Sequence, residues 1–195
     1  MLKLALITGA TSGIGEAVAF KLAENGINLI ITGRRLERLQ ELEIKLKKFE
    51  IQVHTLCFDV RNKDEVTNNL ANLPDELKKI DILVNNAGLA AGLNALQDGD
   101  TDDWDRMIDT NVKGLLYVTR VVSPWMVEQG SGHIVNIGSI AGKEVYPNGN
   151  VYCASKHAVD ALTKGMRMDM VSHDIKVSQI CPGAVETEFS LVRFH

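Results

Sequence analysis

The chain has 195 residues, of which 45% are hydrophobic and 24% charged, which is the composition of a single soluble globular domain. Its formal net charge of −4 argues against a nucleic-acid partner, because the phosphate backbone requires a basic surface. Its three cysteines, Cys57, Cys153 and Cys181, are odd in number and lack metal-ligand spacing, which argues against disulfides and a zinc site and favours the reducing cytoplasm.

The chain alternates short apolar runs with longer amphipathic stretches. Apolar runs without polar alternation predict strands covered on both faces, at 2–8, 27–32, 51–58, 80–86, 132–139 and 175–181. Amphipathic stretches predict helices at 13–25, 35–48, 62–71, 103–128 and 151–171. This alternation predicts one α/β domain over residues 1–195, a doubly wound, Rossmann-type parallel sheet with helices on both faces. No apolar run reaches the ~18–20 residues that cross a bilayer, so no membrane partner is expected.

A glycine-rich turn follows the first predicted strand. The sequence "TGATSGIG" puts Gly9, Gly13 and Gly15 at the start of the first predicted helix. Glycines at such a turn let the backbone approach a pyrophosphate, and the helix N-terminus supplies unpaired N–H groups and a positive potential. A plain tight turn is the alternative. The position of the turn in an alternating chain favours the nucleotide site.

Tyr152 and Lys156 stand four positions apart in the last predicted helix, so they lie on one face of it. By itself the spacing is compatible with an incidental pair on a helix surface. A free tyrosine has a pKa of about 10 and is only about one part in a thousand ionised at pH 7. A neighbouring ammonium group favours the phenolate, so this pair can form a proton-transfer centre at neutral pH.

Several motifs, in their order along the chain, resemble those of the short-chain dehydrogenase/reductase family. They are "TGATSGIG" at 8–15, "DV" at 59–60, "NNAG" at 85–88 and "PGAVET" at 182–187. The resemblance implies an enzyme with a catalytic tetrad formed by Asn111, Ser139, Tyr152 and Lys156. The cofactor-binding residues that it implies, in addition to Tyr152 and Lys156, are Gly9, Thr11, Ser12, Gly13, Ile14, Gly15, Asp59, Val60, Asn86, Ala87, Gly88, Pro182, Gly183, Val185 and Thr187.

The resemblance also implies a role for each member of the tetrad. Tyr152 would exchange a proton with the substrate hydroxyl, and Lys156 would serve both the phenolate and the cofactor ribose. Ser139 would hydrogen-bond the substrate oxygen where charge develops. Asn111 would hold a water of the proton relay, and its alternative is an ordinary polar residue within a helix. Asp59 would hold the adenine ring, and its alternative is a cap for the segment that follows it.

The end of the second predicted strand favours NADP as the cofactor. NAD-preferring relatives carry an acid there, whereas "LIITGRR" has Gly33 in that place, followed by Arg34 and Arg35. A guanidinium can bind a ribose 2′-phosphate in a charge-assisted pair, and no carboxylate opposes it. Of the two arginines, Arg34 is the preferred phosphate ligand, because it follows the ribose position directly. The alternative is a pair of solvated arginines at the start of a helix.

Three stretches resemble one branch of the family, the NADP-dependent dehydrogenases of small 3-hydroxy acids, including serine. They are "TGRRLERLQEL", "WDRMIDTNVKGLLYVTR" and "TEFSLVRF". Arg193, in the last of them, is a candidate anchor for a substrate carboxylate, with a plain surface arginine as the alternative. Other functions that stay open are a 3-oxoacyl-thioester or general carbonyl reductase, and a non-catalytic NADP-binding sensor.

The resemblance carries two further expectations. Members of the family usually have a helical lid and a last strand beyond the "PGAVET" segment, so these parts are expected to be missing from the 195 residues. The predicted helices at 103–128 and 151–171 carry more apolar surface than one sheet face needs. In the family such helices pair across two-fold axes, which implies a homodimer or homotetramer.

Overall fold

All the strands that the structure describes pair in parallel. The computed structural model describes residues 3–186 and 188, and within these residues it contains one sheet with the strand order β3-β2-β1-β4-β5-β6. The strands are β1 Leu4–Ile7, β2 Asn28–Gly33, β3 Val53–Cys57, β4 Ile82–Asn85, β5 Gly132–Ile137 and β6 Ile175–Ile180. The six predicted strands are therefore confirmed, and the fold class with them.

Both faces of the sheet are covered, as the continuous apolar runs predicted. Successive side chains of a strand point to opposite faces, so Leu6 joins one core cluster and Ile7 the other. The α-helices of the described residues are α1 Gly13–Glu24, α2 Leu36–Leu46, α3 Lys63–Ala71, α4 Thr101–Ile108, α5 Leu115–Gln129 and α6 Asn150–Met170. Residues of α1 and α2 pack in the cluster of Ile7, and residues of α3 and α5 pack in the cluster of Leu6. None of the helices in the described part of the chain has the length and apolarity to cross a membrane.

The helix predicted at 103–128 is confirmed as one uninterrupted helical stretch over residues 101–129, but its middle is π-helical. Helix α4 ends at Ile108, a π-helical turn covers Asp109–Gly114, and α5 continues from Leu115. Tertiary contacts hold this turn in place. The side chain of Asn111 bonds to the backbone of Leu89, and a Cβ on Gly114 would lie 2.8 Å from a methyl group of Val60. The spacing of apolar residues is too coarse to reveal the one extra residue that a π-helical turn contains. Such turns are frequent at functional sites.

The topology brings the quoted motifs to one edge of the sheet. Strands β1 and β4 are neighbours although the chain makes two excursions between them, so the strand order reverses at this point. Ligands of open α/β sheets bind at the carboxyl ends of the strands beside such a switch point. Gly9 follows β1, Asn86 follows β4 and Ser139 follows β5, so all three lie at that edge.

Candidate active site

The glycine turn between β1 and α1 has a backbone that glycine favours. Gly9 has φ +64° and Gly13 has φ +57°, in the left-handed region that other residues rarely adopt. A Cβ on Gly9 would also lie 2.9 Å from the Cα of Ala87. Gly15 does not line the cleft above the turn, because it packs beneath it against Gly9 and Asn86, with no room for a Cβ. The turn therefore presents its backbone to the cleft, at the N-terminus of a helix.

Asn86, in the "NNAG" motif, fixes the glycine turn to the end of β4. Its side-chain Nδ2 donates to the carbonyl oxygens of Thr8 and Gly9 at 2.9 and 3.0 Å. In the other direction, the backbone N–H groups of Asn86 and Ala87 donate to the Thr8 hydroxyl, both at 3.0 Å. Asn86 thus builds the floor of the cleft in addition to lining it.

The two arginines after β2 lie at one end of the same cleft but have different partners. The Nη2 of Arg35 donates to the hydroxyls of Thr11 and Ser12 in the glycine turn, at 3.0 and 3.1 Å. The Nη1 of Arg34 lies 3.6 Å from the Asp59 carboxylate, and its side chain is 58% exposed. Arg35 is therefore the arginine that is fixed against the glycine turn, whereas the sequence favoured Arg34 as the phosphate ligand.

Asp59 lies between the cleft and Arg61. Its carboxylate accepts three hydrogen bonds from Arg61, including one from the backbone N–H at 3.0 Å. Burial would raise the pKa of Asp59, but the hydrogen bonds from Arg61 and the charges of Arg61 and Arg34 lower it overall, so the group is an ionised acceptor. The capping role that was the alternative is thus present in part. Asp59 still lines the cleft, together with Val60.

Helix α6 carries Tyr152 and Lys156 to the other end of the cleft. Both side chains line it and both are buried, at 8% and 5% exposure. The Lys156 Nζ donates to the carbonyl oxygen of Ile137 at 3.0 Å and lies 5.9 Å from the centre of the Tyr152 ring. Burial lowers the pKa of Lys156 from 10.5 to about 8, with Cys181 acting in the opposite direction. The amine is thus held near the phenol and still carries its proton at neutral pH.

Ser139 completes the polar lining near Tyr152. It directly precedes a short 3₁₀ turn, and its hydroxyl oxygen accepts from the backbone N–H of Ala141 at 3.1 Å. A serine hydroxyl has one hydrogen to donate and two lone pairs to accept with. The bond from Ala141 uses one lone pair and orients the group, so its hydrogen can be donated to a ligand in the cleft.

Asn111 lies behind the cleft, on the π-helical turn, and is 2% exposed. Its Oδ1 accepts from the N–H of Leu89 at 2.8 Å, and its Nδ2 donates to the Leu89 carbonyl at 2.8 Å and to the Ser155 hydroxyl at 3.0 Å. The Ser155 hydroxyl in turn donates to the carbonyl of Tyr152 at 2.7 Å. Asn111 is therefore more than an ordinary polar residue of a helix, because it ties the segment after β4 to the helix that carries the tyrosine.

The cleft gathers nearly all the residues that the sequence singled out. Pro182, Gly183 and Val185 line it, and the carbonyl of Pro182 accepts from Ile140 at 3.0 Å. Thr187 and Arg193 lie outside the described residues.

Five further residues line the cleft that the sequence did not indicate, namely Phe58, Leu89, Thr110, Ile137 and Gly138. Each is next to or near a quoted motif, so their only sequence signal was proximity to it. In the described part of the chain, no three His, Cys, Asp or Glu side chains gather as they would around a metal ion.

The buried amine of Lys156 gives a prediction for the pH dependence of stability. The folded pKa of about 8 lies below the ordinary 10.5, so the unfolded state binds more protons between these values and the free energy of unfolding rises with pH there. Between about pH 7.5 and about pH 9.5 we expect wild type to gain about 2 kcal/mol relative to Lys156→Met. Urea unfolding of both proteins at the two pH values measures this gain. Parallel pH dependences would contradict it.

Known proteins that are similar to this chain point to the same kind of enzyme as the geometry of the cleft does. Residues 3–193 match a protein-family model described as short chain dehydrogenase. The NADP-dependent 3-hydroxy acid dehydrogenase YdfG of Salmonella typhi is 48% identical over 192 residues, which is 98% of this chain and 76% of that protein. Sulfoacetaldehyde reductase 2 of Chromohalobacter salexigens is 47% identical over 194 residues, 99% of this chain and 77% of that protein. The closed form of a serine dehydrogenase complexed with NADP+ superposes with a TM-score of 0.93 at 47% identity, covering 98% of this chain and 76% of that one.

Proposed function

This chain belongs to the short-chain dehydrogenase family, and we propose that it is an NADP-dependent oxidoreductase that interconverts a hydroxyl and a carbonyl group on a small 3-hydroxy acid such as serine. One observation carries the proposal: Tyr152 and Lys156 line the same cleft as the glycine turn and the two arginines after β2. A proton-transfer pair and an anion-binding turn in one cleft are what an alcohol oxidation coupled to a dinucleotide requires.

The residues of the cleft fit such a cofactor along its whole length. The positive-φ glycines and the N-terminus of α1 suit a pyrophosphate, and Arg34 and Arg35 suit a ribose phosphate beside them. Asp59 and Val60 would hold the adenine. The segments 86–88 and 182–185 would hold the nicotinamide half, near Tyr152 and Lys156. When bound, the nicotinamide supplies the acceptor or donor of hydride.

The protein's own groups would move the proton. In the oxidative direction, Tyr152 as phenolate takes the proton of the substrate hydroxyl, and in the reductive direction the phenol returns it to the substrate oxygen. The Lys156 ammonium favours the phenolate through its charge. Ser139 would donate its hydrogen to the substrate oxygen, since its own oxygen already accepts from Ala141.

The contacts of Asn111 support a positioning role. Its amide bonds hold Leu89 and, through Ser155, the helical turn that carries Tyr152. Loss of this amide would remove the partners of two part-buried backbone groups of Leu89. Its implied role in holding a relay water stays a prediction.

A second candidate substrate class comes from the relatives. Sulfoacetaldehyde reductase 2 is as similar to this chain as the 3-hydroxy acid dehydrogenases are. Sulfoacetaldehyde and the oxidised 3-hydroxy acids share a small carbon chain with a carbonyl and a terminal anion, so one site can suit either. A 3-oxoacyl-thioester or general carbonyl reductase remains the further alternative, and a non-catalytic NADP-binding sensor is the alternative of another class.

Nicotinamide absorbance distinguishes these functions in one assay series. The purified protein would be given NADP with L-serine, 3-hydroxypropanoate or 2-hydroxyethanesulfonate, and NADPH with a 3-oxoacyl thioester. We expect the highest kcat/KM with a 3-hydroxy acid. Preference for the sulfonate would assign the second class, and preference for the thioester the further alternative. Cofactor binding without turnover of any substrate would support the sensor. An Arg193→Ala variant in the same assay tests that residue, because KM for the acid rises only if it anchors the substrate.

We also propose that the protein forms a homodimer or homotetramer through α5 and α6. Apolar side chains on or beside these helices are exposed: Leu116 by 37%, Met168 by 78% and Val171 by 68%. Exposed apolar residues next to a packed helix layer are typical of helical subunit interfaces. Light scattering at micromolar concentration is expected to give at least twice the mass of the chain, and a monomer alone would contradict the proposal.

The free thiols of Cys57, Cys153 and Cys181 support a reducing compartment, and we propose the cytoplasm. Cell fractionation tests this location, and recovery of the protein with membranes or outside the cell would contradict it.

A further inference from the structure

A carboxylate accepts hydrogen bonds from Arg35, which lines the cleft beside the glycine turn, and from Arg38. Glu188, in the segment after β6, accepts from the Nη1 of Arg38 at 2.6 and 2.7 Å through its two oxygens. It also accepts from the Nη1 of Arg35 at 3.2 Å. These partners are about 150 residues away in the chain, so the contact joins two segments that are far apart in the sequence. The hydrogen bonds of Arg38 and Arg35 hold the pKa of Glu188 below its ordinary value, which keeps it an anion.

The Glu188 carboxylate and a ribose 2′-phosphate would both accept from the N–H groups of Arg35. The Nη2 of Arg35 is engaged with Thr11 and Ser12 of the glycine turn, while its Nη1 faces Glu188. An anion at that Nη1 therefore sits beside the glycine turn, where the proposed cofactor carries its phosphates. A guanidinium binds carboxylate and phosphate with the same planar set of N–H donors. Two anions at one guanidinium repel each other, so only one of them is favoured there.

We infer that Glu188, held by Arg38, is an internal competitor of the cofactor's 2′-phosphate for the Nη1 of Arg35, and so sets the affinity and the selectivity for a phosphorylated ribose. The inference rests on the proposed use of NADP. It adds Arg38, which does not line the cleft, to the groups that bear on cofactor choice. Binding of that phosphate would displace the Glu188 carboxylate from the Arg35 guanidinium.

The exposure of the contact fits a competitor that is exchanged reversibly. The side chains of Glu188, Arg35 and Arg38 are 41%, 44% and 42% exposed. Ion pairs between exposed groups stabilise weakly, so a phosphate with a larger charge can displace the carboxylate. The expected effect of removing the competitor is accordingly a modest one, about three-fold to ten-fold in affinity.

Titration calorimetry with two small ligands tests the inference without turnover. Adenosine 2′,5′-bisphosphate carries the phosphate in question, and adenosine 5′-monophosphate differs from it only in lacking that phosphate. We expect Glu188→Gln to bind the bisphosphate about three-fold to ten-fold more tightly than wild type, with the affinity for the monophosphate unchanged. Glu186→Gln is the matched control, because it removes the same charge from the same exposed segment. It should bind both ligands as wild type does.

Three results would overturn the inference. These are an unchanged or weaker affinity of Glu188→Gln for the bisphosphate, an equal gain for both ligands, or an equal gain in Glu186→Gln. Failure of the cofactor proposal has a different signature, since wild type itself would then show no preference for the bisphosphate over the monophosphate. The wild-type titrations therefore test the cofactor, and the comparison of the two variants tests Glu188.

Discussion

Tyr152→Phe is expected to lower kcat by about 1,000-fold or more while the affinity for NADP stays within about two-fold of wild type. The substitution removes only the phenol oxygen, and the ring that remains still fills its buried place on α6. Proton transfer to or from the substrate oxygen then has no donor or acceptor at that position. The glycine turn, where we propose that the pyrophosphate binds, follows β1 and is not altered by this substitution.

Steady-state kinetics with the best 3-hydroxy acid, and NADPH fluorescence titration for binding, measure the two quantities separately. Tyr117→Phe is the matched control, because this tyrosine packs on the sheet away from the cleft. It should keep wild-type turnover. A Tyr152→Phe enzyme with a tenth or more of wild-type kcat would disprove the proton-transfer role. Lys156→Ala should impair both turnover and binding, because in the proposed mechanism its ammonium serves both the phenolate and the cofactor ribose.

The second large effect is expected on cofactor choice. Wild type should prefer NADP over NAD in kcat/KM, and Gly33→Asp combined with Arg34→Asn should reverse this preference, changing the ratio by about 100-fold or more. The aspartate would accept the ribose hydroxyls of NAD and repel a 2′-phosphate, and the asparagine removes a guanidinium that attracts it. Kinetics with both cofactors give the ratio. A wild-type enzyme that uses NAD at least as well as NADP would contradict the proposed cofactor.

The structure adds a steric control to this experiment. A Cβ at Gly33 would lie 2.8 Å from the Cγ2 of Thr11, so any side chain there must push that methyl group aside. Gly33→Ala introduces the same contact without the charge, and it should weaken both cofactors alike. The single variants Arg34→Asn and Arg35→Asn then rank the two arginines. The contacts of Arg35 with the glycine turn favour it as the larger contributor, contrary to the order that the sequence suggested.

Local sequence patterns were sufficient to predict the fold and to locate the motifs of the site. Apolar runs such as 2–8 and 132–139 lack the polar alternation of a sheet with one solvent-exposed face. They therefore predict parallel strands that are covered on both faces. Glycines after β1, with positive φ at Gly9 and Gly13, are a local requirement that the spacing already displays. The four-residue step from Tyr152 to Lys156 fixes their common helix face wherever the helix lies.

Tertiary structure alone decided how several of these residues are used. The π-helical turn at Asp109–Gly114 depends on contacts of Asn111 and Gly114 with segments that are remote in the sequence. Gly15 has an ordinary φ, and only the approach of Gly9 and Asn86 excludes a side chain there. The contact of Glu188 with Arg35 and Arg38 has no sequence signal, because neither helical nor strand periodicity relates residues about 150 positions apart. Spacing along the chain records short-range geometry, whereas these contacts exist only after the sheet has brought the ends of its strands together.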